Sequence, residues 1–138
     1  MLEPNRGAAH KWRILVAEDN PTMITYMRTA MEGIGLYSID SVTDGNEALN
    51  LITSKPYGLI VLDHDMPGMK GLDIIRTLSN LRTGFYTPIM LVTGQVNSEM
   101  VQAIRNERLT VAAVIAKPFP QDAFQKRVAA VMKAHRGR

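Results

Sequence analysis

Leu59-Ile60-Val61-Leu62-Asp63 is the stretch that decides the fold: four apolar residues run without a break and stop at an acid. A strand with one wet face alternates apolar and polar residues. An unbroken run reads instead as a strand buried on both faces. The same form recurs on either side. Ile14-Leu15-Val16-Ala17 stops at Glu18-Asp19, Pro88 to Val92 stops at Thr93, and Val111 to Ala116 stops at Lys117. Tyr37 to Val42 alternates as a fifth strand.

Between these runs the apolar residues fall at helical spacing. Met23, Ile24, Met27, Ala30 and Met31 form one face; Ala48, Leu49 and Ile52 form a second; Leu72, Ile74, Ile75 and Leu78 form a third. Met100, Val101 and Ile104 mark a fourth helix, and Ala123, Phe124, Val128, Val131 and Met132 a fifth. Asn20-Pro21 reads as an N-cap with proline at the first helical position, and Thr43-Asp44-Gly45 reads as a turn. Strands alternating with helices give an α/β domain, a mostly parallel sheet with helices on both faces.

The chain has 138 residues and 46% apolar content, enough for one core and too little for two. No cysteine is present, which excludes disulfides and thiolate metal sites and fits a cytoplasmic location. No apolar run approaches the roughly 18 residues of a membrane span, and no secretory h-region is visible near the start. The formal charge is +3, with Arg6, Lys11 and Arg13 at one end and Lys126, Arg127, Lys133, Arg136 and Arg138 at the other. Such residues usually form solvated faces. With no recognition helix or aromatic-basic patch, neither nucleic acid nor membrane is an expected partner. Residues 1–11 are expected to be a flexible extension and 12–138 the domain.

Function is argued from the polar residues that end the strands. Ligands of an open parallel α/β sheet bind at the carboxyl ends of its strands. Glu18, Asp19, Asp63, Thr93 and Lys117 all fall there. Each has an ordinary reading alone: an acidic pair ahead of a helix, a helix cap, a turn threonine, a lysine with its stem on the surface. Together they are complementary. Crowded carboxylates repel, and a hard divalent cation relieves them; magnesium suits one or two carboxylates and several waters. An ammonium and a hydroxyl beside a nucleophilic carboxylate match a phosphoryl group.

Four segments resemble receiver domains of two-component response regulators, notably the chemotaxis-regulator type. They are the acidic opening 14–20; Leu59 to Gly71, with Asp63-His64-Asp65-Met66-Pro67; Met90-Leu91-Val92-Thr93-Gly94; and Ile115-Ala116-Lys117-Pro118-Phe119. The resemblance covers about Trp12 to His135. It implies a flavodoxin-like (βα)5 three-layer sandwich with strand order 2-1-3-4-5. It implies Asp63 as phosphoacceptor, with Mg2+ held by Glu18, Asp19, Asp63 and the backbone carbonyl of Asp65. Thr93 and Lys117 would bind phosphoryl oxygens, and the Lys117-Pro118 bond would be cis. Asp65 and Gln95 would tune hydrolysis of the acyl phosphate. His64 receives no catalytic role.

The implied phosphodonor is a phosphohistidine on a histidine kinase or a histidine phosphotransfer protein. The implied output is a downstream protein bound through helix 4, strand 5 and helix 5. The switch position normally holding an aromatic ring is Val114, so Thr93 lacks its usual ring partner, and Phe119 or helix 4 is the substitute reporter. Thr110-Val111 stands where a glycine-alanine pair is common, implying a stiffer turn. The rings of Phe85 and Tyr86 are expected to pack on the sheet.

Two other readings share some of this chemistry. A small haloacid-dehalogenase-type phosphatase also opens with aspartate-x-aspartate after an apolar strand. Its motif lies nearer the N-terminus, and Pro67 stands where it has threonine or valine. A pseudo-receiver would bind partners without phosphotransfer, against which the intact acidic, hydroxyl and cationic set argues.

Overall fold

A computed structural model describes residues 13–135; the expected extension 1–11, Trp12, and the basic residues Arg136 and Arg138 lie outside them. The strands are β1 (Ile14–Ala17), β2 (Ile39–Val42), β3 (Leu59–Asp63), β4 (Ile89–Thr93) and β5 (Ala113–Ala116). The helices are α1 (Pro21–Glu32), α2 (Gly45–Ser54), α3 (Gly71–Ser79), α4 (Ser98–Asn106) and α5 (Gln121–His135). The strands form one sheet of order β2-β1-β3-β4-β5, and each neighbouring pair is parallel.

Alternate residues of the continuous strands feed two cores. Ile14, Val16, Leu59, Val61, Met90 and Val92 face one side and meet Met27, Ala30 and Met31 of α1 and Phe124, Val128 and Met132 of α5. Leu15, Ala17, Ile60, Leu62 and Leu91 face the other and meet Ala48 and Ile52 of α2, Leu72, Ile75 and Leu78 of α3, and Met100 of α4. The result is the expected three-layer sandwich. The apolar runs of β1, β3 and β4 follow from burial on both faces, as anticipated.

Local signals explain the helix starts. Asn20 caps α1, its side chain accepting from the Thr22 and Met23 amides, with Pro21 at the first helical position. Thr43-Asp44-Gly45 turns the chain as expected and leads straight into α2: Asp44 is its N-cap and accepts from the Asn46 and Glu47 amides. Gly45 is required there, since a Cβ would lie 1.9 Å from the Met69 carbonyl oxygen.

Other boundaries differ from expectation at the sheet edges. β2 starts at Ile39, leaving Tyr37 67% exposed. β5 starts at Ala113 rather than Val111. Both strands pair on one side only, so sheet pairing constrains their ends less. Val101 of α4 is exposed, so the apolar face of that helix is narrower than its spacing suggests. Phe85 packs on the core as expected, whereas Tyr86 is exposed.

Candidate functional site

Strand register brings the polar ends together. Ala17 stands level with Leu62, Asp63 with Val92, and Thr93 with Ala116. The residues at or just past those positions are Glu18, Asp63, Thr93 and Lys117, so one edge of the sheet collects them. The Lys117 amide donates to the Thr93 carbonyl (2.8 Å), and the Glu18 amide to the Val42 carbonyl (2.9 Å). These bonds extend the ladders just past the strands and hold both backbones in place. The Lys117-Pro118 bond is cis.

Glu18 is 0% exposed and Asp63 3%, while Asp19 is exposed. A solvated Glu18-Asp19 pair is therefore ruled out for Glu18. One carboxylate oxygen from each of Glu18, Asp19 and Asp63 lies within 4.8 Å of the other two. The Lys117 ammonium donates to Glu18 Oε1 at 2.6 Å and sits 3.3 Å from Asp63 Oδ2. Its side chain is only 22% exposed, so it is not an ordinary surface lysine. The Asn20 amide donates to the other Glu18 oxygen at 3.1 Å.

Burial pushes the Glu18 carboxyl up from its ordinary value against the hydrogen bonds from Lys117 and Asn20, and the nearby Asp63 charge adds to the rise. Burial opposes the Lys117 ammonium, yet its bond to Glu18 and the charge of Asp63 hold it above its ordinary value. Among the described residues, Lys117 is the cation that meets the buried carboxylates Glu18 and Asp63. The donors are hard oxygens, the set that suits magnesium.

Thr93, 1% exposed, turns its hydroxyl toward Asp65 Oδ2 (3.4 Å) and the Gln95 carbonyl (3.3 Å), and accepts from the Gln95 amide (3.2 Å). The Asp65 amide donates to Asp63 Oδ1 at 3.2 Å. Asp65 and Gln95 thus both contact the central pair, Asp65 through its amide and carboxylate and Gln95 through its backbone. Val114 does not reach this edge. It stands opposite Leu91 in the β4–β5 ladder and packs half-buried on the α3/α4 core. Phe119 stacks on Phe124 with centroids 5.0 Å apart, in the other core.

A cleft of about 570 Å³ opens from the site between α3 and α4, lined by residues that include His64, Asp65, Lys70, Thr93, Gln95 and Met100. Two of these carry contacts that the sequence reading missed. Lys70 approaches Asp65 Oδ1 at 4.0 Å, and His64 Nδ1 accepts from the Leu72 amide at 3.2 Å. A signal for the second was present: lysine at an N-cap has no acceptor, so the cap must come from elsewhere.

The family described as response regulator receiver domain matches residues 14–129. The transcriptional regulatory protein TctD of Salmonella typhimurium is 30% identical over 91% of this chain, which spans about half (54%) of that relative. A probable chemotaxis protein CheY of Rhizobium etli is 29% identical over 91% of this chain and 96% of its own length. Among solved structures, the receiver domain of sensor histidine kinase PA1611 from Pseudomonas aeruginosa superposes with a TM-score of 0.72. It shares 24% identity, covering 88% of this chain and 97% of its own, and it has a magnesium ion coordinated in its active-site cleft. With the matching family and the 2-1-3-4-5 sheet both on hand, this chain belongs to the response regulator receiver domains, the signalling domains of two-component systems.

Proposed function

We propose that Asp63 accepts a phosphoryl group from a phosphohistidine, on a histidine kinase or a histidine phosphotransfer protein, and that the resulting acyl phosphate switches a protein-binding face. The observation that carries this is the buried Asp63 carboxylate, 3% exposed, with the Lys117 ammonium at 3.3 Å and two further carboxylates beside it. An Asp63 oxygen attacks phosphorus, the P–N bond breaks, and the imidazole leaves with its electron pair. Lys117 then balances one phosphoryl oxygen, and the Thr93 hydroxyl donates to another.

Glu18, Asp19, Asp63 and the Asp65 carbonyl are the groups that would hold magnesium, which supplies charge neutralisation for the incoming anion. The donor set fits, and the Pseudomonas receiver carries the same ion in its cleft. Asp65 and Gln95 stand where they can influence water attack on the acyl phosphate, so the domain assists its own dephosphorylation. The outgoing signal would pass through the α4–β5–α5 face to a downstream protein, by a shift between two states of that face.

The test is incubation with acetyl phosphate and magnesium, followed by mass-spectrometric mapping. The expected result is one labile phosphate on Asp63, lost in Asp63→Asn with the fold retained and absent when magnesium is chelated. Labelling of Asp63→Asn at the wild-type rate would refute the assignment. Turnover of phosphate monoesters without a stable label would favour phosphatase chemistry, and an unlabelled wild type would leave an interaction module.

A further inference from the structure

We propose that His64, whose imidazole the phosphotransfer chemistry above does not use, is a positioning residue for phosphoryl acceptance; this rests on the reading of Asp63 given above. The first amides of a helix lack intrahelical partners. At α3 the N-cap is Lys70, and it makes no side-chain cap bond. His64 supplies what Lys70 cannot. Its carbonyl accepts from the Gly71 amide at 3.1 Å, and its Nδ1 accepts from the Leu72 amide at 3.2 Å. One residue therefore satisfies two orphan donors of a helix that starts seven positions later.

The same residue is fixed to the sheet. The His64 amide donates to the Val92 carbonyl at 2.9 Å, continuing the β3–β4 ladder. α3 also starts hard against the acceptor's own backbone: a Cβ on Gly71 would lie 2.9 Å from His64 Cα and 3.0 Å from the Asp63 carbonyl oxygen. His64 thus pins both ends of the loop 65–70. That loop carries Asp65, whose amide donates to Asp63 Oδ1 and whose carboxylate accepts from Thr93. The Leu72 N–H is a donor, so Nδ1 is the acceptor in this bond. The required group at position 64 is therefore an acceptor two bonds beyond Cβ.

That requirement gives a sharp test. Asparagine places Oδ1 where histidine places Nδ1, and it is among the best N-cap acceptors. Glutamine places its amide one bond further out, nearer Nε2. Three variants, H64A, H64N and H64Q, are compared with wild type by amide exchange at Leu72 and by the rate of magnesium-dependent labelling with acetyl phosphate. H64A and H64Q are expected to exchange Leu72 faster and to label more slowly, each on the order of fivefold, the weight of one helix cap. H64N is expected to restore both. Equal labelling of all four proteins, or rescue by H64Q and not H64N, overturns the proposal while Asp63 labelling stands. A wild type that takes no label removes the acceptor reading and the positioning role together. Should H64A fail to fold, the H64N and H64Q pair decides alone.

Discussion

On one face of the sheet, α1 and α5 bury seven side chains between them, Met27, Ala30, Met31, Phe124, Val128, Val131 and Met132. On the other, α4 buries only Met100 and borders an open cleft. The α1/α5 pair is further tied by polar bonds into the protein: Gln125 Nε2 to the Ala30 carbonyl (2.8 Å) and Gln121 Nε2 to the Tyr26 carbonyl (3.0 Å). The side-chain tie from α3 to the end of α4 lies at the surface, where Arg76 forks onto both Glu107 oxygens at 2.8 Å. Both layers cover the same sheet, and in the second one α3 is firmly packed through Leu72, Ile74, Ile75 and Leu78; it is α4 that is lightly held, beside the cleft. A light attachment is what a moving element needs.

The contrast can be broken by cutting each layer. Phe124→Ala empties a fully buried ring from the packed layer and is expected to cost about 3–5 kcal/mol; urea denaturation measures it. Met100→Ala removes the one buried side chain of α4, and with a cleft alongside to accommodate the change it is expected to cost about 2 kcal/mol, the low end for such truncations. If the two losses were equal, α4 would not differ from the α1/α5 pair in the way described. Arg76→Ala is the mildest. It is expected to leave the denaturation midpoint nearly unchanged, as exposed pairs contribute little, while amide exchange in α4 speeds up. High salt acting on the wild type should reproduce part of that effect. Unaltered exchange in α4 would show that the fork does not restrain it.

Much of this was legible from residue type alone, for a physical reason. β1, β3 and β4 are covered on both faces, so their runs are apolar throughout, and the first polar residue after each run marks the functional edge. Glu18, Asp63 and Thr93 could be found that way, and Lys117 by the same rule at the end of the edge strand β5. The edge strands were less legible, since one side of each is unpaired and residues such as Tyr37 need not choose a side. The Asp65–Thr93 bond was not legible, and of the α3 cap only the need for an outside acceptor was, because both depend on the path of a loop that periodicity does not describe. Val114 was identified by position, and only the ladder shows it held opposite Leu91, away from the polar edge.

Glu18 and the lysine that neutralises it stand 99 residues apart along the chain. A polypeptide made from its N-terminus therefore completes β1, and with it a carboxylate destined for the dry interior, long before its counter-charge exists. The cation arrives only when β5 adds to the outer side of β4. A chain without β5 would leave Glu18 either in water or buried without its cation, and the second is costly. The finished sheet and the paired charge of Glu18 therefore depend on the same last strand.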